Sequence, residues 1–246
     1  MKSLRIASSC AAAAVGAAFL PAIASAATVV GGSDLLSAAS ANQLESWLGQ
    51  GPLTLTNVFD KAPGSTTIDF HAAADGKGAT FSIIEFPNDP TGMPFDKPIV
   101  VGGYNPQSWN SSGAFNVTPL DVDRTAFVFN LTQSLKFDQR RDAATENYGL
   151  YQTYNFANNG PAFGGGRDLI GGSNSVFGVD YSYFYSYGAN GDFGRSLVTY
   201  PGLYAGPMYV GQIEVFTISA AVPESQSWAL MLGGLAWLGL AVRRRG

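Results

Sequence analysis

The amino-acid sequence predicts a mainly β domain of the α+β type, built as a two-sheet antiparallel β-sandwich with short flanking helices. Short runs rich in β-branched and aromatic residues alternate with Gly, Pro and Asn turns, as is typical of strands. No long amphipathic helix lies between these runs, which disfavours parallel βαβ units. With 46% hydrophobic and 13% charged residues, the chain of 246 residues is globular rather than disordered or coiled-coil.

The first predicted element is a helix whose apolar positions begin at Leu35 and end at Leu48. Ser33-Asp34 is expected to cap it, and Gly49 and Gly51 are expected to end it. The strands predicted after it are Leu53–Phe59, Thr66–Phe70, Ala79–Phe86, Ile99–Val101, Ala126–Leu131, Val176–Phe184 and Met208–Ile218. The polar stretches 87–98 and 138–147 are predicted to be loops.

The N-terminus has the pattern of a secretory signal peptide over residues 1–26. Lys2 and Arg5 give a basic start, and an uncharged Ala-rich run follows from Ile6 to Leu20. The small residues Ala24-Ser25-Ala26 form a cleavage site, so signal peptidase is expected to cut after Ala26. The single Cys of the chain, Cys10, would be discarded with this segment.

The C-terminal residues 222–246 resemble the PEP-CTERM sorting signal of Gram-negative bacteria. The motif is Val222-Pro223-Glu224, followed by an uncharged apolar run over 227–242 and by Arg243-Arg244-Arg245. Ser225 stands where the family has a second Pro. The apolar run is a short transmembrane helix candidate, and the arginines would hold its end in the cytoplasm. The resemblance implies a transient inner-membrane anchor cut by an exosortase, and a proteobacterial protein of the cell envelope, cell surface or extracellular matrix.

The domain left between the two export segments, residues 27–221, is acidic and contains no Cys. It holds nine Lys or Arg and 17 Asp or Glu, a net charge of −8. This charge makes nucleic acid an unlikely kind of partner. The single His and the missing Cys exclude a disulfide scaffold, a zinc cluster and thiol chemistry.

Six segments of this domain occur in the order found in the TLDc domain, and together they resemble that family over about residues 43–218. They are Trp47-Leu48; Phe70-His71 with Asp75–Thr80; Gly102-Gly103-Tyr104 with Gln107-Ser108-Trp109; Ala126–Leu131; Gly160–Gly164 with Asp168-Leu169; and Glu214-Val215-Phe216. Ala79 departs from the Pro usual before Thr in the family, and Ala73 stands where animal members have Cys. The resemblance implies two antiparallel sheets with short flanking helices.

Animal members of the family are linked to oxidative-stress resistance and to the vacuolar proton pump, without an established catalytic mechanism. An exported bacterial protein meets no such pump, so that partner is not carried over. We expect a non-catalytic binding or matrix-associated module without a cofactor, whose partner is exopolysaccharide or another envelope protein. Two alternatives stay open: an enzyme of unknown class, and protection against oxidants by family analogy.

The enzyme alternative depends on Asp69, His71 and Asp75, the imidazole–carboxylate group of the chain. On a strand, Asp69 and His71 would point to one face and Ile68 and Phe70 to the other. Such a His could act as a general base or bind a metal. A structural hydrogen bond is the more frequent role of a single His, so no catalytic residue is assigned.

Four tyrosines at alternate positions, Tyr181, Tyr183, Tyr185 and Tyr187, are candidate binding residues. On a strand their rings would share one face and form a platform for sugars or a partner protein. The alternative is an ordinary tyrosine-rich strand that covers the sandwich edge.

Two further patterns favour structural roles. The glycine-rich segment Gly160–Arg167 could hold an anion with its backbone amides, but a tight turn between strands is favoured. The loop acids Asn88-Asp89, Asp121-Val122-Asp123 and Asn190-Gly191-Asp192 lack EF-hand spacing, so solvated turns are favoured over a metal site.

Overall fold

The computed structural model describes residues 26–89, 94–141, 148–173, 179–180, 182–203 and 208–221. Its two α-helices are α1 (Ala38–Leu48) and α2 (Thr67–Ala74). The strands are β1 (Thr28–Val30), β2 (Leu53–Asp60), β3 (Thr80–Asn88), β4 (Pro94–Asn105), β5 (Ala114–Val117), β6 (Phe127–Asn130), β7 (Leu135–Asp138), β8 (Tyr151–Asn155), β9 (Ala162–Phe163), β10 (Leu169–Ile170), β11 (Val179–Asp180), β12 (Met208–Tyr209) and β13 (Ile213–Ala220). Short 3₁₀ turns cover Asp121–Asp123, Tyr148–Leu150 and Asn190–Asp192.

The strands form one large sheet and one small sheet, which confirms the predicted sandwich. The large sheet has the order β1-β2-β13-β3-β4-β6-β7, and the small sheet has the order β10-β9-β8-β5. The small sheet is antiparallel throughout, whereas the large sheet is mixed because β1 runs parallel to β2. β11 and β12 pair separately as a two-stranded ribbon.

The large sheet buries both of its faces. One face packs against α1, where Ala41 and Leu44 meet sheet residues such as Leu55 and Phe81. The other face belongs to a second core that includes α2 and the small sheet, with Phe70, Trp109, Phe163 and Leu169 among its members. Because both faces are covered, the strands carry apolar residues on each side, and clean alternation is lost.

Gly103 on β4 allows the two sheets to approach closely. A Cβ placed on Gly103 would lie 2.5 Å from the Phe163 ring on β9. The ring therefore occupies the space that any side chain at position 103 would need, and it packs edge-on against Trp109 with ring centroids 5.4 Å apart.

The predicted first helix exists but begins later than expected. Ser37 caps it, since its hydroxyl accepts a hydrogen bond from the amide of Ser40 at 3.1 Å. The hydroxyl of Ser33 instead accepts from the amides of Leu35 and Leu36 in a separate turn. Gly49 ends the helix as predicted, in the left-handed conformation with φ 68°.

The predicted strand Thr66–Phe70 is wrong, because residues 67–74 form α2. The backbone amide and the hydroxyl of Thr66 both donate to the Asp69 carboxylate, at 2.8 and 2.9 Å. This contact between the residue before the helix and the third helical position stabilises a helix start. Both hydrogen bonds lower the pKa of Asp69, and the bond from the Thr66 backbone amide has the larger effect.

Other boundaries also differ from the sequence predictions. β4 begins at Pro94 inside the predicted loop 87–98, and β7 reaches Asp138 at the start of the predicted loop 138–147. Within the predicted strand 176–184, the described part contains only the two-residue β11. The predicted strand 208–218 is divided into β12 and β13 around Gly211.

The two predicted export segments lie almost wholly outside the described residues. These are residues 1–25, including Cys10, and residues 222–246 with the Val222-Pro223-Glu224 motif and Arg243-Arg244-Arg245. Ala26, the predicted cleavage position, is exposed and stands two residues before β1. In the described part of the chain, no helix is long and apolar enough to span a membrane.

Candidate functional site

The single histidine is buried in a structural position on α2. His71 is 5% exposed, and its Nδ1 lies 2.7 Å from Oδ1 of Asp75. Its Nε2 lies 3.1 Å from the backbone carbonyl oxygens of both Phe156 and Asn159. All these partners are acceptors, so both ring nitrogens are engaged, and the ring joins α2 to the chain after β8. This geometry favours the structural hydrogen-bonding role over a general base or a metal ligand.

The predicted grouping of Asp69, His71 and Asp75 is only partly present. His71 and Asp75 meet because they are one helical turn apart. The expectation that Asp69 and His71 share a strand face is wrong, because the segment is helical. Asp69 lies at the start of the helix and binds Thr66, and Asp75 also accepts a hydrogen bond from the Ser111 hydroxyl at 2.8 Å.

The glycine-rich segment 160–167 contains β9, and its residues 164–167 lie in the turn between β9 and β10, in agreement with the favoured prediction. The amide of Gly164 donates to the carbonyl of Gln152, and the amide of Gly165 donates to the hydroxyl of Ser186. Arg167 adopts a left-handed conformation with φ 61°, which turns the chain toward β10. These two amides are occupied by the protein itself and are not available to a bound anion.

The residue after this turn, Asp168, is a fully buried carboxylate that holds a neighbouring loop. Its Oδ2 accepts hydrogen bonds from three successive backbone amides, those of Tyr185, Ser186 and Tyr187, at 2.6, 2.8 and 3.0 Å. Its Oδ1 has no hydrogen-bond partner within the described chain. Burial raises the pKa of Asp168 to about 7, although the three amides act in the opposite direction.

In its described part, residues 182–187, the predicted tyrosine platform is not a strand, and Tyr187 does not share a face with Tyr183 and Tyr185. Tyr187 is fully buried, with its hydroxyl donating to the carbonyl of Gln152 at 2.7 Å. Burial, together with the charge of Asp168, raises the pKa of Tyr187 well above its ordinary value. Tyr183 and Tyr185 are half-buried at the surface, and Tyr181 lies outside the described residues.

Tyr183 and Tyr185 belong instead to a four-ring cluster that we call the aromatic surface: Tyr148, Tyr183, Tyr185 and Phe193. Phe193 is 43% exposed and lies between the others, with ring centroids 5.5 to 5.8 Å from Tyr148, Tyr183 and Tyr185. Tyr148 and Tyr185 meet edge-on at 4.5 Å. The alternation of the sequence indicated two of these rings, but no local pattern indicated Tyr148 or Phe193.

A cavity of about 840 Å³, which we call the basic cavity, adjoins the aromatic surface. Its lining includes the aromatic residues Trp47, Tyr104 and Phe127 and the cationic residues Lys136, Arg140 and Arg141. The Arg140 guanidinium lies over the Tyr148 ring, 5.3 Å from its centroid, and so joins the cavity to the aromatic surface. Sequence reasoning missed this site because its lining comes from segments far apart in the chain.

The carboxylates of the basic cavity are engaged by neighbouring groups. Asp138 lies 3.0 Å from the Lys136 ammonium. Asp192 accepts hydrogen bonds from the amide of Ala189 and the hydroxyl of Tyr200, at 2.9 and 3.0 Å. Burial raises the pKa of Tyr104, although a hydrogen bond with the Gln50 side chain acts in the opposite direction.

Two of the loop acids, Asp121 and Asp192, have partners within the protein. Asp121 pairs with Arg124 at 2.7 Å. A separate group of three carboxylates, Asp34, Asp60 and Glu214, brings one oxygen of each within 4.8 Å of the others. Glu214 in this group is fully buried and accepts the amide of Asp34 at 2.6 Å, so it holds the N-terminal segment against β13.

The fold and these sites define the class of the chain. It is a two-sheet β-sandwich domain whose histidine joins elements of the fold and whose surface carries clustered rings and cations. The TLDc domain family matches residues 30–219, and the chain therefore belongs to the TLDc family. The matched span begins after the predicted signal peptide and ends before the predicted sorting tail. No curated protein matches the chain.

Proposed function

We propose that this TLDc domain is a non-catalytic binding module of the cell envelope that recognises polysaccharide through the aromatic surface. The observation that carries the proposal is the grouping of Tyr148, Tyr183, Tyr185 and Phe193 at the surface. Flat rings of this kind pack against the apolar C–H faces of sugars, and phenol hydroxyls add polar contacts at the ring edges. Exposed aromatic clusters mark interaction surfaces.

The alternative of an enzyme loses its principal candidate. A general base needs a nitrogen that can reach a substrate proton. Both nitrogens of His71 are occupied by Asp75 and by two backbone carbonyls, and the ring is 5% exposed. The arrangement supports a structural role, and so favours the binding module.

The export part of the proposal is that the signal peptide is removed after Ala26 and that an exosortase processes the tail. The fold is compatible with both cuts. β1 begins at Thr28 and β13 ends at Ala220, so neither cut would take a strand from the large sheet. Mass spectrometry of the exported protein should give Ala27 as its first residue. In a variant with Pro223 and Glu224 both changed to Ala, an unchanged mature form and location would contradict tail processing.

Affinity electrophoresis of the purified full-length chain tests the binding proposal. The gels contain hydroxyethylcellulose, dextran, alginate or hyaluronan. The double variant Tyr183→Ala, Tyr185→Ala should reduce retardation by a retained polymer by roughly tenfold, which corresponds to the loss of two stacking contacts. Tyr209→Ala is the matched control, because Tyr209 is 51% exposed and lies outside the aromatic surface.

A conservative variant separates binding from folding. Tyr185→Phe keeps the ring and should therefore be retarded like the wild type. The double Ala variant loses both rings and should be retarded less. Far-UV circular dichroism of each variant checks that the β fold is intact. The proposal fails if none of the four polymers is retarded, or if the double variant binds like the wild type.

A further inference from the structure

We propose that the basic cavity binds the carboxylate of an acidic sugar unit, so that the polysaccharide taken by this domain is anionic. This inference rests on the proposed function and names the class of its ligand. It explains a contrast in charge: the domain carries −8 overall, yet three of its nine Lys and Arg residues line one cavity. Away from this cavity, the net negative charge of the domain would repel an acidic polymer.

Arg141 is the cation best placed to receive the carboxylate. It is exposed, and its Nη2 donates to the backbone carbonyl of Arg124 at 3.0 Å, which fixes the guanidinium. Among the described residues, no carboxylate lies within ion-pair distance of it. A guanidinium held in this way still has donors that match the two oxygens of a carboxylate, and such a pair is stronger than a neutral hydrogen bond.

Lys136 and Arg140 line the same cavity, and the three cations against Asp138 and Asp192 leave its lining with a net charge of +1. The Lys136 ammonium lies between Asp138, at 3.0 Å, and the Phe127 ring, 4.9 Å from its centroid. Arg140 is 6% exposed and donates to the side chain of Asn190. Because these two cations are held in place, they supply a preorganised field for an anion rather than a flexible contact.

One wall of the cavity is aromatic. The half-buried Trp47 can offer its face to a sugar ring, whereas Tyr104 and Phe127, with rings 5.2 Å apart, are buried in the core and close the wall. The volume of about 840 Å³ lies within the range of small-molecule sites. Arg140 also stacks on Tyr148, so a polymer bound along the aromatic surface would reach the cavity directly.

The test compares an acidic and a neutral polymer in the same affinity gels with the full-length chain. Arg141→Gln should weaken retardation by alginate by about tenfold, the ratio that one charge-assisted pair provides. Retardation by hydroxyethylcellulose should stay unchanged. Lys97→Gln is the control, because it removes the same charge from an exposed residue that does not line the cavity. Added glucuronate should compete with alginate, whereas glucose and inorganic phosphate should not.

Each outcome decides between the two proposals. If alginate and hydroxyethylcellulose bind equally, or if Arg141→Gln and Lys97→Gln weaken alginate equally, the inference is overturned while the proposed function stands. If inorganic phosphate competes as well as glucuronate, the cavity is a general anion site and the inference is also wrong. If the double variant at Tyr183 and Tyr185 has no effect on any retained polymer, the proposed function itself fails.

Discussion

Replacing Asp168 by Asn should remove a pH-dependent cost from the stability of this domain. Asp168 is fully buried, and its Oδ2 accepts the amides of Tyr185, Ser186 and Tyr187. Asn can offer its carbonyl oxygen to the same three amides but cannot ionise. The substitution therefore keeps an acceptor for the three amides and deletes the charge. It also places an NH2 group where Oδ1 has no hydrogen-bond partner, a cost that does not change with pH.

The magnitude follows from the difference in proton binding between the folded and unfolded chains. Burial raises the pKa of Asp168 from 3.8 to about 7. Between these values the folded state keeps a proton that the unfolded state has released, so the free energy of unfolding falls as pH rises. The full difference corresponds to about 4 kcal/mol in the free energy of unfolding. This contribution is present below pH ~4 and is lost by pH ~8.

Urea unfolding followed by tryptophan fluorescence, at several pH values from 4 to 8.5, measures this effect. The stability of the wild type minus that of Asp168→Asn should fall with pH by up to about 1.4 kcal/mol per unit and level off above pH ~8. Taking the difference cancels the other titrating groups. A second variant, Asp168→Ala, leaves three buried amides without an acceptor and should be less stable than Asp168→Asn by ~3 kcal/mol or more at every pH. A difference between wild type and Asp168→Asn that does not change with pH would refute the reasoning, because it would show that the three amides keep the carboxylate ionised.

Three further substitutions test the packing. His71→Leu leaves two backbone carbonyls and a carboxylate without their donor and should lower the free energy of unfolding by about 2–3 kcal/mol; unchanged stability in urea would contradict the structural role. Gly103→Ala places a Cβ 2.5 Å from the Phe163 ring and should cost about 1–3 kcal/mol by thermal unfolding. Its control, Gly191→Ala, meets no atom within 4 Å and should stay within about 0.5 kcal/mol. Arg124→Lys should lower the free energy of unfolding in urea by about 3 kcal/mol. Arg124 is 1% exposed, and an ammonium group cannot replace the hydrogen bonds that the guanidinium donates to two separate backbone carbonyls. A near-neutral result would show that these hydrogen bonds contribute little to stability.

The fold class was predictable because strand formation here follows composition over short segments. β2, β3 and β6 coincide closely with runs of β-branched and aromatic residues. α2 was mistaken for a strand because Thr67–Phe70 alternates polar and apolar residues over four positions, which is too short to distinguish the two periods. The helix is favoured by the contact of Thr66 with Asp69 and by the alanines at positions 72–74.

The candidate site was predictable only where it depends on local alternation. Tyr183 and Tyr185 stand two residues apart and reach the same surface, as the pattern indicated. The basic cavity was not predictable, because Trp47 on α1 and Arg141 after β7 are brought to the same cavity by the topology of the large sheet. No spacing in the sequence encodes such a contact between distant segments.

The buried acid and the aromatic surface are parts of one arrangement. Because Asp168 binds three successive amides, it fixes the backbone of residues 185–187 and thereby decides which rings face solvent. Tyr185 is placed outward beside Tyr148, whereas Tyr187 is placed inward beside Phe163. The carboxylate that costs stability at neutral pH is thus also the group that positions a ring of the proposed binding surface. An apolar residue at position 168 would leave all three amides unpaired and would release the loop.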